Sequence, residues 1–482
     1  MNYILKIVRN KIFLYLSTRY IIYATQFIGM ILVSTSLGPY NYGRWGFILL
    51  MFNYFTIINW GIPSSVNVLL VQNKNDIGKE KDYISSALVA LFTLVGMVFI
   101  VAFIYYIKPF NIFIKYHIGT YFYIICVTAI INYFNDVFGK IYRIKNKLFE
   151  LSLNQSLFPI YIVLIVFVFS SETLLSALLF GYFILSIVSF LIYIARKAIS
   201  FGGKPRKEYV LLILTKGFFL FLYNSCFYLI LTTTSTIISI YYSVEDYGYY
   251  MFSYSLGHSV LLILDALTFI AFPKIIDIFY RGTKEEIINT MGKIRINYVI
   301  FSHGLMYLAF ALFPFFMQMI PSYSKALPAL CLTALGVLLN TNSFGYNTYL
   351  IAQNDEKYIA GVSFVSLVVN VLICILIAYN KAPFYYVVFG MMISYIFFSL
   401  LCANRAMKML NINSNTIILL RSIFPLSILI PFLLGILIVW GNYYYLSFIP
   451  FLLYFILNIG VIKEIICTFK LLASNPNYID LR

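Results

Sequence analysis

Apolar residues run along this chain in long blocks, separated by short polar punctuation from one end to the other. The blocks cover residues 12–36, 45–71, 83–107, 117–138, 153–170, 173–195, 210–242, 248–272, 296–320, 326–352, 358–379, 384–404, 416–440 and 446–469. We number them spans 1 to 14. Most reach the roughly 20 residues that carry an α-helix across about 30 Å of hydrocarbon. Spans 5 and 6 are divided only by Ser170, Ser171 and Glu172, which predicts a tight helical hairpin. The pattern therefore predicts an all-α polytopic membrane protein of about fourteen transmembrane helices.

Composition strengthens this reading. Of 482 residues, 62% are hydrophobic and 11% are charged, against about 45–50% and about 25% in a soluble domain. No water-soluble fold of this length hides so much apolar surface. The formal charge of +17 raises the question of nucleic acid, and the placement of the charges answers it. Alternate loops carry Lys6, Arg9 and Lys11; Lys74, Lys79 and Lys81; Lys140, Arg143, Lys145 and Lys147; Arg196, Lys197, Lys204, Arg206 and Lys207. The same side continues with Lys274, Arg281, Lys284, Lys293 and Arg295, then Lys357, Arg405, Lys408, Lys463, Lys470 and Arg482. The intervening loops carry only Arg44, Lys108, Lys115, Lys325 and Lys381. This is the positive-inside distribution, so both termini are expected in the cytoplasm and no nucleic acid is needed. Cys126, Cys226, Cys331, Cys374, Cys402 and Cys467 lie inside apolar blocks without a CxxC pair, and read as small buried hydrophobes. Span 1 follows a basic segment but is long, lacks a clear small-x-small cleavage site and precedes many further spans, so it reads as a retained helix.

The sequence also repeats itself. Leu37-Gly38-Pro39-Tyr40-Asn41-Tyr42-Gly43-Arg44-Trp45 follows span 1, and Ser243-Val244-Glu245-Asp246-Tyr247-Gly248-Tyr249-Tyr250 follows span 7. The two Tyr-Gly pairs, at 42 and at 247, are 205 residues apart. Tyr142-Arg143-Ile144-Lys145-Asn146 leaves span 4 and Tyr349-Leu350-Ile351-Ala352-Gln353 leaves span 10, at an offset of 207. Both offsets hold an even number of spans, so the halves share one topology, as in parallel-repeat transporters. The expected organisation is a lobe over 1–200 with spans 1–6, a second over 201–410 with spans 7–12, and an appended pair over 411–482. The segment 195–209, with Phe201-Gly202-Gly203-Lys204-Pro205, is the expected cytoplasmic linker. Two similar lobes with a seam between them suit rocking alternating access.

The run from Tyr20 to Gly61, with Gln26, Ser36-Leu37-Gly38, Tyr42-Gly43-Arg44-Trp45 and Trp60-Gly61-Ile62, resembles the opening of Wzx-type polysaccharide flippases. These belong to the multidrug/oligosaccharidyl-lipid/polysaccharide (MOP) exporter superfamily. Val244-Glu245-Asp246-Tyr247-Gly248-Tyr249-Tyr250, then Pro273 before a basic loop, is similar to that family's middle. The resemblance implies a bacterial inner-membrane flippase for undecaprenyl-pyrophosphate-linked repeat units of O-antigen or capsule. It also implies a cationic cavity between lobes, ion-coupled alternating access driven by a proton or sodium, and a polysaccharide polymerase and chain-length regulator as partners beside membrane lipids. No cofactor, catalytic group or metal is expected.

Ionisable groups inside spans are costly and become functional hypotheses. Arg19, about two turns into span 1, is a candidate to hold phosphate oxygens bidentately, with snorkelling to the interface as its alternative. Lys216 in span 7 and Arg421 in span 13 are further phosphate candidates with the same alternative. In span 8, His258 and Asp265 are seven residues apart and share a helical face. They are either ion-coupling candidates or a structural pair. Asp136, beside Asn135 and Lys140, reads as a solvated helix end. Span 2 carries Asn53, Trp60 and Asn67 at intervals of seven, and span 10 carries Asn340, Ser343 and Asn347. Each stripe suits a sugar-lining cavity wall, as does Gln26 in span 1. Interhelical hydrogen bonding is the alternative. No GxxxxGK[ST] loop is present, and no loop is long enough for a catalytic domain, so a membrane-bound glycosyltransferase or polymerase is disfavoured. Two transporter alternatives are a cation-coupled multidrug (MATE-type) antiporter and a lipid II flippase. The mainly basic intramembrane inventory favours an anionic substrate over organic cations.

Overall fold

The computed structural model describes residues 11–73, 76–412 and 415–463; some side chains within those stretches, Lys216 and Asp265 among them, lie outside the described set. Helices and turns make up the described chain, with no strand among the described residues. Each expected span coincides with helix over most of its described residues; residues 464–469 of span 14 lie outside them. Among the described residues, eight helices are by themselves long and apolar enough to cross a membrane, nine if a bent pair counts as one. Spans 7 and 8 lie on the long helices Lys207–Tyr241 and Val244–Arg281, and others are shorter or interrupted, such as Ile62–Gln72 in span 2. Phe99, Phe103, Phe315 and Leu372 are 62–65% exposed. Large apolar side chains turned outward along whole helices are a lipid-facing surface. The five described cysteines are buried and unpaired.

Three spans are interrupted within the hydrocarbon-length blocks. Span 2 breaks between Lys11–Ile57 and Ile62–Gln72, where Trp60 (φ 55) and Gly61 (φ 65) are both left-handed. Span 10 breaks between Leu327–Thr341 and Tyr346–Ala352, at Gly345 with φ 91. Span 13 bends by 71° between Thr416–Ile423 and Leu426–Trp440, where Pro425 has no amide hydrogen to continue the ladder. Spans 1 and 2 are joined at Gly38 (φ 68), with Pro39 next in the chain.

The chain gathers into two compact units. One is Met1–Tyr228 with Ser243–Gly248; the other is Leu229–Tyr242 with Tyr249–Arg482. Spans 13 and 14, expected as an appendage, are packed in the second unit, where Phe301–Gln318 and Leu426–Trp440 both contact Phe448–Leu457. The segment 195–209 lies within the first unit. Lys145 Nζ is 2.6 Å from Glu80 Oε1, and Ser200 donates to the same oxygen at 2.9 Å. Arg206 pairs with Asp82 at 2.9 Å while the Lys204 amide donates to Asp82 at 2.8 Å. The linker is therefore tied to the start of span 3.

Within the first unit the repeated motif meets its own copy. A methyl on Gly43 would overlap the Val244 carbonyl oxygen and lie 3.1 Å from the Gly248 nitrogen. A methyl on Gly248 would overlap the Pro39 carbonyl oxygen and lie 3.1 Å from the Gly43 nitrogen. Pro39 to Val244 and Gly43 to Gly248 are each 205 positions apart, so the contact is reciprocal. Arg44, buried beside it, donates to the Tyr116 carbonyl at 3.1 Å and to Asn41 Oδ1 at 3.1 Å. Tyr116 stacks on Phe47 at 4.2 Å and meets Tyr247 edge-on at 5.8 Å. The second correspondence recurs as a helix end. Asn146 (φ 56) and Asn354 (φ 58) are left-handed caps, followed by Lys147 N–H to Tyr142 O and Asp355 N–H to Leu350 O. These caps align at an offset of 208, one more than residue types alone suggest.

Gly43→Ala and Gly248→Ala should each destabilise the protein by about 1–3 kcal/mol, because backbone atoms cannot move aside as a side chain can. Gly96→Ala, at a position with open space, should be neutral or stabilising by roughly 0.5–1 kcal/mol. Thermal unfolding of the three variants in detergent checks this.

Candidate functional site

The polar interior of the second unit is built around the π turn of span 9 and the breaks in spans 10 and 13. Span 9 starts as Lys284–Arg295, where Thr283 and Glu286 form a capping box. It passes through one π turn at Ile296–Ile300 and continues as Phe301–Gln318. Wide turns of this kind are rare and cluster at functional positions. Arg295, the last residue before the π turn, points at the neighbouring breaks. Its Nη1 donates to the carbonyls of Asn342 at 2.7 Å and Phe344 at 2.9 Å, and its Nη2 to that of Ser422 at 2.8 Å. The guanidinium lies 4.3 Å over the Tyr346 ring. Carbonyls at helix C-termini lack intrahelical partners and carry the negative end of the dipole. A single guanidinium thus closes two interrupted helices. Sequence alone places Arg295 among the loop charges; the structure turns it inward, because the carbonyls freed at 342, 344 and 422 need a donor.

His303 is fully buried one turn beyond the π turn. Its Nε2 lies 2.9 Å from Asn342 Oδ1 and its Nδ1 3.2 Å from the Tyr307 hydroxyl. Tyr307 donates onward to the Ile428 carbonyl at 3.2 Å, and the Tyr454 hydroxyl donates to Ile300 O. Spans 9, 10, 13 and 14 are knit by this network. A histidine inside an apolar span is a legible signal in the sequence, although His303 is not among the candidates chosen from it. Farther off in the same unit, Asn370 donates to the Ile230 carbonyl at 2.6 Å and Cys374 lies 3.2 Å from Asn370 Oδ1.

The residues singled out from sequence are dispersed. Arg19 is half-buried and Gln26 exposed, seven residues apart on one continuous helix, hence on one face. Asn53 is half-buried in the helix before the span 2 break, whereas Asn67 lies in the helix after it. The seven-residue stripe is therefore not one continuous face, since two left-handed residues intervene. Trp60 sits at that break, stacked on Phe221 at 6.0 Å and tilted against Phe218 at 5.6 Å. Gly61 passes so close to Gly217 that a methyl on it would overlap the Gly217 carbonyl. Asn340 and Asn347 are half-buried on opposite sides of the span 10 break, so their stripe is interrupted likewise. His258 is half-buried on the continuous helix Val244–Arg281 and stacks on Tyr254 at 5.8 Å. The side chains of Asp265 and Lys216 lie outside the described residues. Arg421 is exposed on Thr416–Ile423. Asp136, expected at a solvated helix end, lies eight residues before the end of Tyr121–Ile144, about 12 Å along the axis. Among the described residues no group of three His, Cys, Asp or Glu side chains forms a metal site.

Arg295→Met should destabilise the second unit severely, because each buried carbonyl left without a donor costs roughly 1–3 kcal/mol. Arg295→Lys should recover only part of the loss, since an ammonium lacks the planar fork. Arg421→Ala, at an exposed position, should stay within about 0.5 kcal/mol of the parent. Thermal unfolding in detergent ranks the three.

Solved structures place this architecture. A lipid II flippase, MurJ, in an inward closed conformation superposes with a TM-score of 0.65 at 14% identity, over 93% of this chain and 97% of that one. An inward-facing multidrug resistance MATE family transporter of the MOP superfamily gives 0.64 at 14% identity, over 82% of this chain and 96% of that one. At this identity the likeness is one of fold. None of the curated proteins matches the sequence. The sequence profile described as "Polysaccharide biosynthesis protein" matches residues 8–279, more than half of the chain. With the fold of MOP transporters and a family profile over its first half and beyond, this chain is a multi-pass membrane protein that belongs to the polysaccharide biosynthesis protein family.

Proposed function

We propose that this chain is a flippase that moves polyprenyl-pyrophosphate-linked oligosaccharide units from the cytoplasmic to the outer leaflet of a bacterial inner membrane, with both termini in the cytoplasm. The observation that carries the reading is the family match over residues 8–279 on a chain with a MOP transporter fold. The family name speaks for a glycan pathway, and the fold speaks for transport rather than for bond-making chemistry. The two structural neighbours superpose almost equally, so fold does not choose between lipid and drug substrates. Charge does. Arg19, half-buried in span 1, suits a pyrophosphate, whose oxygens accept bidentate guanidinium bonds. Gln26 on the Arg19 face offers an amide partner for sugar hydroxyls, as does Asn53 in the same unit. O-antigen or capsule repeat units are the substrate class proposed. Ion-coupled alternating access is the mechanism, and a polymerase and chain-length regulator are the partners downstream.

The purified protein in liposomes should move defined polyprenyl-pyrophosphate oligosaccharides to the opposite leaflet, read by their accessibility to an added glycan-modifying enzyme. Arg19→Ala should lower that rate at least tenfold, about 1.4 kcal/mol of lost interaction. Liposomes that export a cationic dye but move no lipid-linked sugar would overturn the reading in favour of a drug antiporter. In cells, loss of the protein should strand lipid-linked repeat units on the cytoplasmic leaflet.

A further inference from the structure

From Lys357 to Lys463 the sequence has no acid, and every charged residue is a lysine or an arginine. Among them Arg405 is taken by Asp355 at 2.7 Å. Arg421 is not: no carboxylate among the described residues pairs with it. It lies on Thr416–Ile423, the short helix before the 71° bend of span 13. At about 100° per residue, Leu420, Ile417, Arg421 and Ile418 follow one another around one side of this helix. All four are exposed, the three apolar ones by 43–60%. On the other side Leu419 and Ser422 are half-buried and Ile423 is fully buried, and the helix contacts Val388–Met409 of span 12. Both ends are fixed. The Asn415 side chain accepts from the Ile418 amide at 2.9 Å, and Arg295 holds the Ser422 carbonyl at 2.8 Å.

The rest of the span sets the depth. Leu426–Trp440 covers about 22 Å, short of the roughly 30 Å of hydrocarbon. Trp440, Tyr443 and Tyr445, 52–71% exposed, form an aromatic belt at its far end. With that belt in one interface, the bend falls near the boundary of the other, on the side that carries Lys357, Arg405 and Lys408. A helix turned 71° from a membrane-crossing one runs closer to the membrane plane than to its normal. In water its isoleucines would be exposed, and deep in hydrocarbon its guanidinium would be uncompensated. At the boundary both are met, because apolar side chains enter the acyl region while the arginine stem extends to a phosphate. We propose that Thr416–Ile423 is a lipid-binding half-helix in the cytoplasmic interface, with Arg421 on the phosphate of an anionic phospholipid and Ile417, Ile418 and Leu420 against its acyl chains. The partner is a bilayer lipid and not a transported headgroup, since the neighbours of Arg421 on that face are apolar and a headgroup passage is polar. The site goes beyond the flippase reading and does not rest on it. Because Arg295 grips the same half-helix, a lipid at Arg421 bears on the junction that closes the breaks of spans 10 and 13.

The test titrates the full chain in dodecyl maltoside, which has no phosphate, with phosphatidylglycerol and follows binding by native mass spectrometry. Arg421→Ala should weaken the tightest binding step about fivefold, the effect of one cation at an anionic lipid surface. Arg421→Lys should keep most of the affinity. Unchanged binding in Arg421→Ala overturns the proposal, as does diacylglycerol that binds as tightly as phosphatidylglycerol. Displacement of phosphatidylglycerol by equimolar polyprenyl pyrophosphate overturns it in favour of a substrate site. Should Arg421→Ala fail to fold, depth decides. A nitroxide attached to Ile418→Cys in nanodiscs containing phosphatidylglycerol should be relaxed more by oxygen than by a water-soluble nickel chelate, with the signal of the equally treated parent subtracted. Stronger relaxation by the chelate puts this face in water and overturns the proposal.

Discussion

Hydrocarbon offers no water to a backbone group that leaves its helix, so every irregularity in a membrane-spanning chain must be met by protein atoms. That constraint organises both units. At the span 2 break, the Tyr133 hydroxyl donates to the Phe55 carbonyl at 2.9 Å, and Asn59 accepts from the Gly61 amide at 2.9 Å. The π turn of span 9 is served by Tyr454 at Ile300. The breaks of spans 10 and 13 converge on Arg295. Each partner comes from a neighbouring helix or from the turn itself, so a break in one span fixes where another must pass. The irregular positions are for this reason the most tightly specified parts of the bundle, and a transporter needs them where helices must present polar atoms without losing shape.

The pattern of apolar blocks is enough to read off the helices, because burial in lipid demands continuous apolarity and little else. The breaks are not legible in the same way. Trp60 and Gly61 read as an ordinary stretch of span 2, and Asn340 and Asn347 as one stripe, because a left-handed residue leaves no mark on hydrophobicity. Whether a Trp-Gly pair ends a helix depends on Tyr133 and Gly217, some 70 and 150 residues away in the sequence. Arg295 looks like a loop charge for a related reason. Its neighbours Lys284 and Lys293 belong at a polar helix start, and only the carbonyls of Asn342, Phe344 and Ser422 draw it inward. Asp136 is masked by Lys140 and Arg143, which mark the helix end two turns later. Of the candidate site, Arg19, Gln26 and His258 keep the helical settings expected of them. The seven-residue stripes of spans 2 and 10 do not survive their breaks.

The linker illustrates how a polar segment becomes part of a fold rather than a tether. A chain such as 201–206, with two glycines and a proline, has the composition of a flexible connection. Here Gly203 passes hard against the backbone of Lys81, and Glu80 and Asp82 hold Lys145 and Arg206 on either side. The entrance to span 7 is thereby set by the start of span 3, and the freedom that the composition suggests gives way to close approach instead of motion.

The Gly43 and Gly248 contact has a different kind of meaning. Pro39, Gly43, Val244 and Gly248 form a figure in which each glycine meets the carbonyl that corresponds to its counterpart's, at one spacing of 205. In a protein made of a single repeat and assembled as a symmetric pair, one codon would have written both halves of that meeting point, and any added side chain would have struck twice. Here the two glycines are written by separate codons, yet neither can gain a side chain without meeting the backbone of the other motif. The joint therefore has, within one polypeptide, the self-complementarity of a homodimer contact.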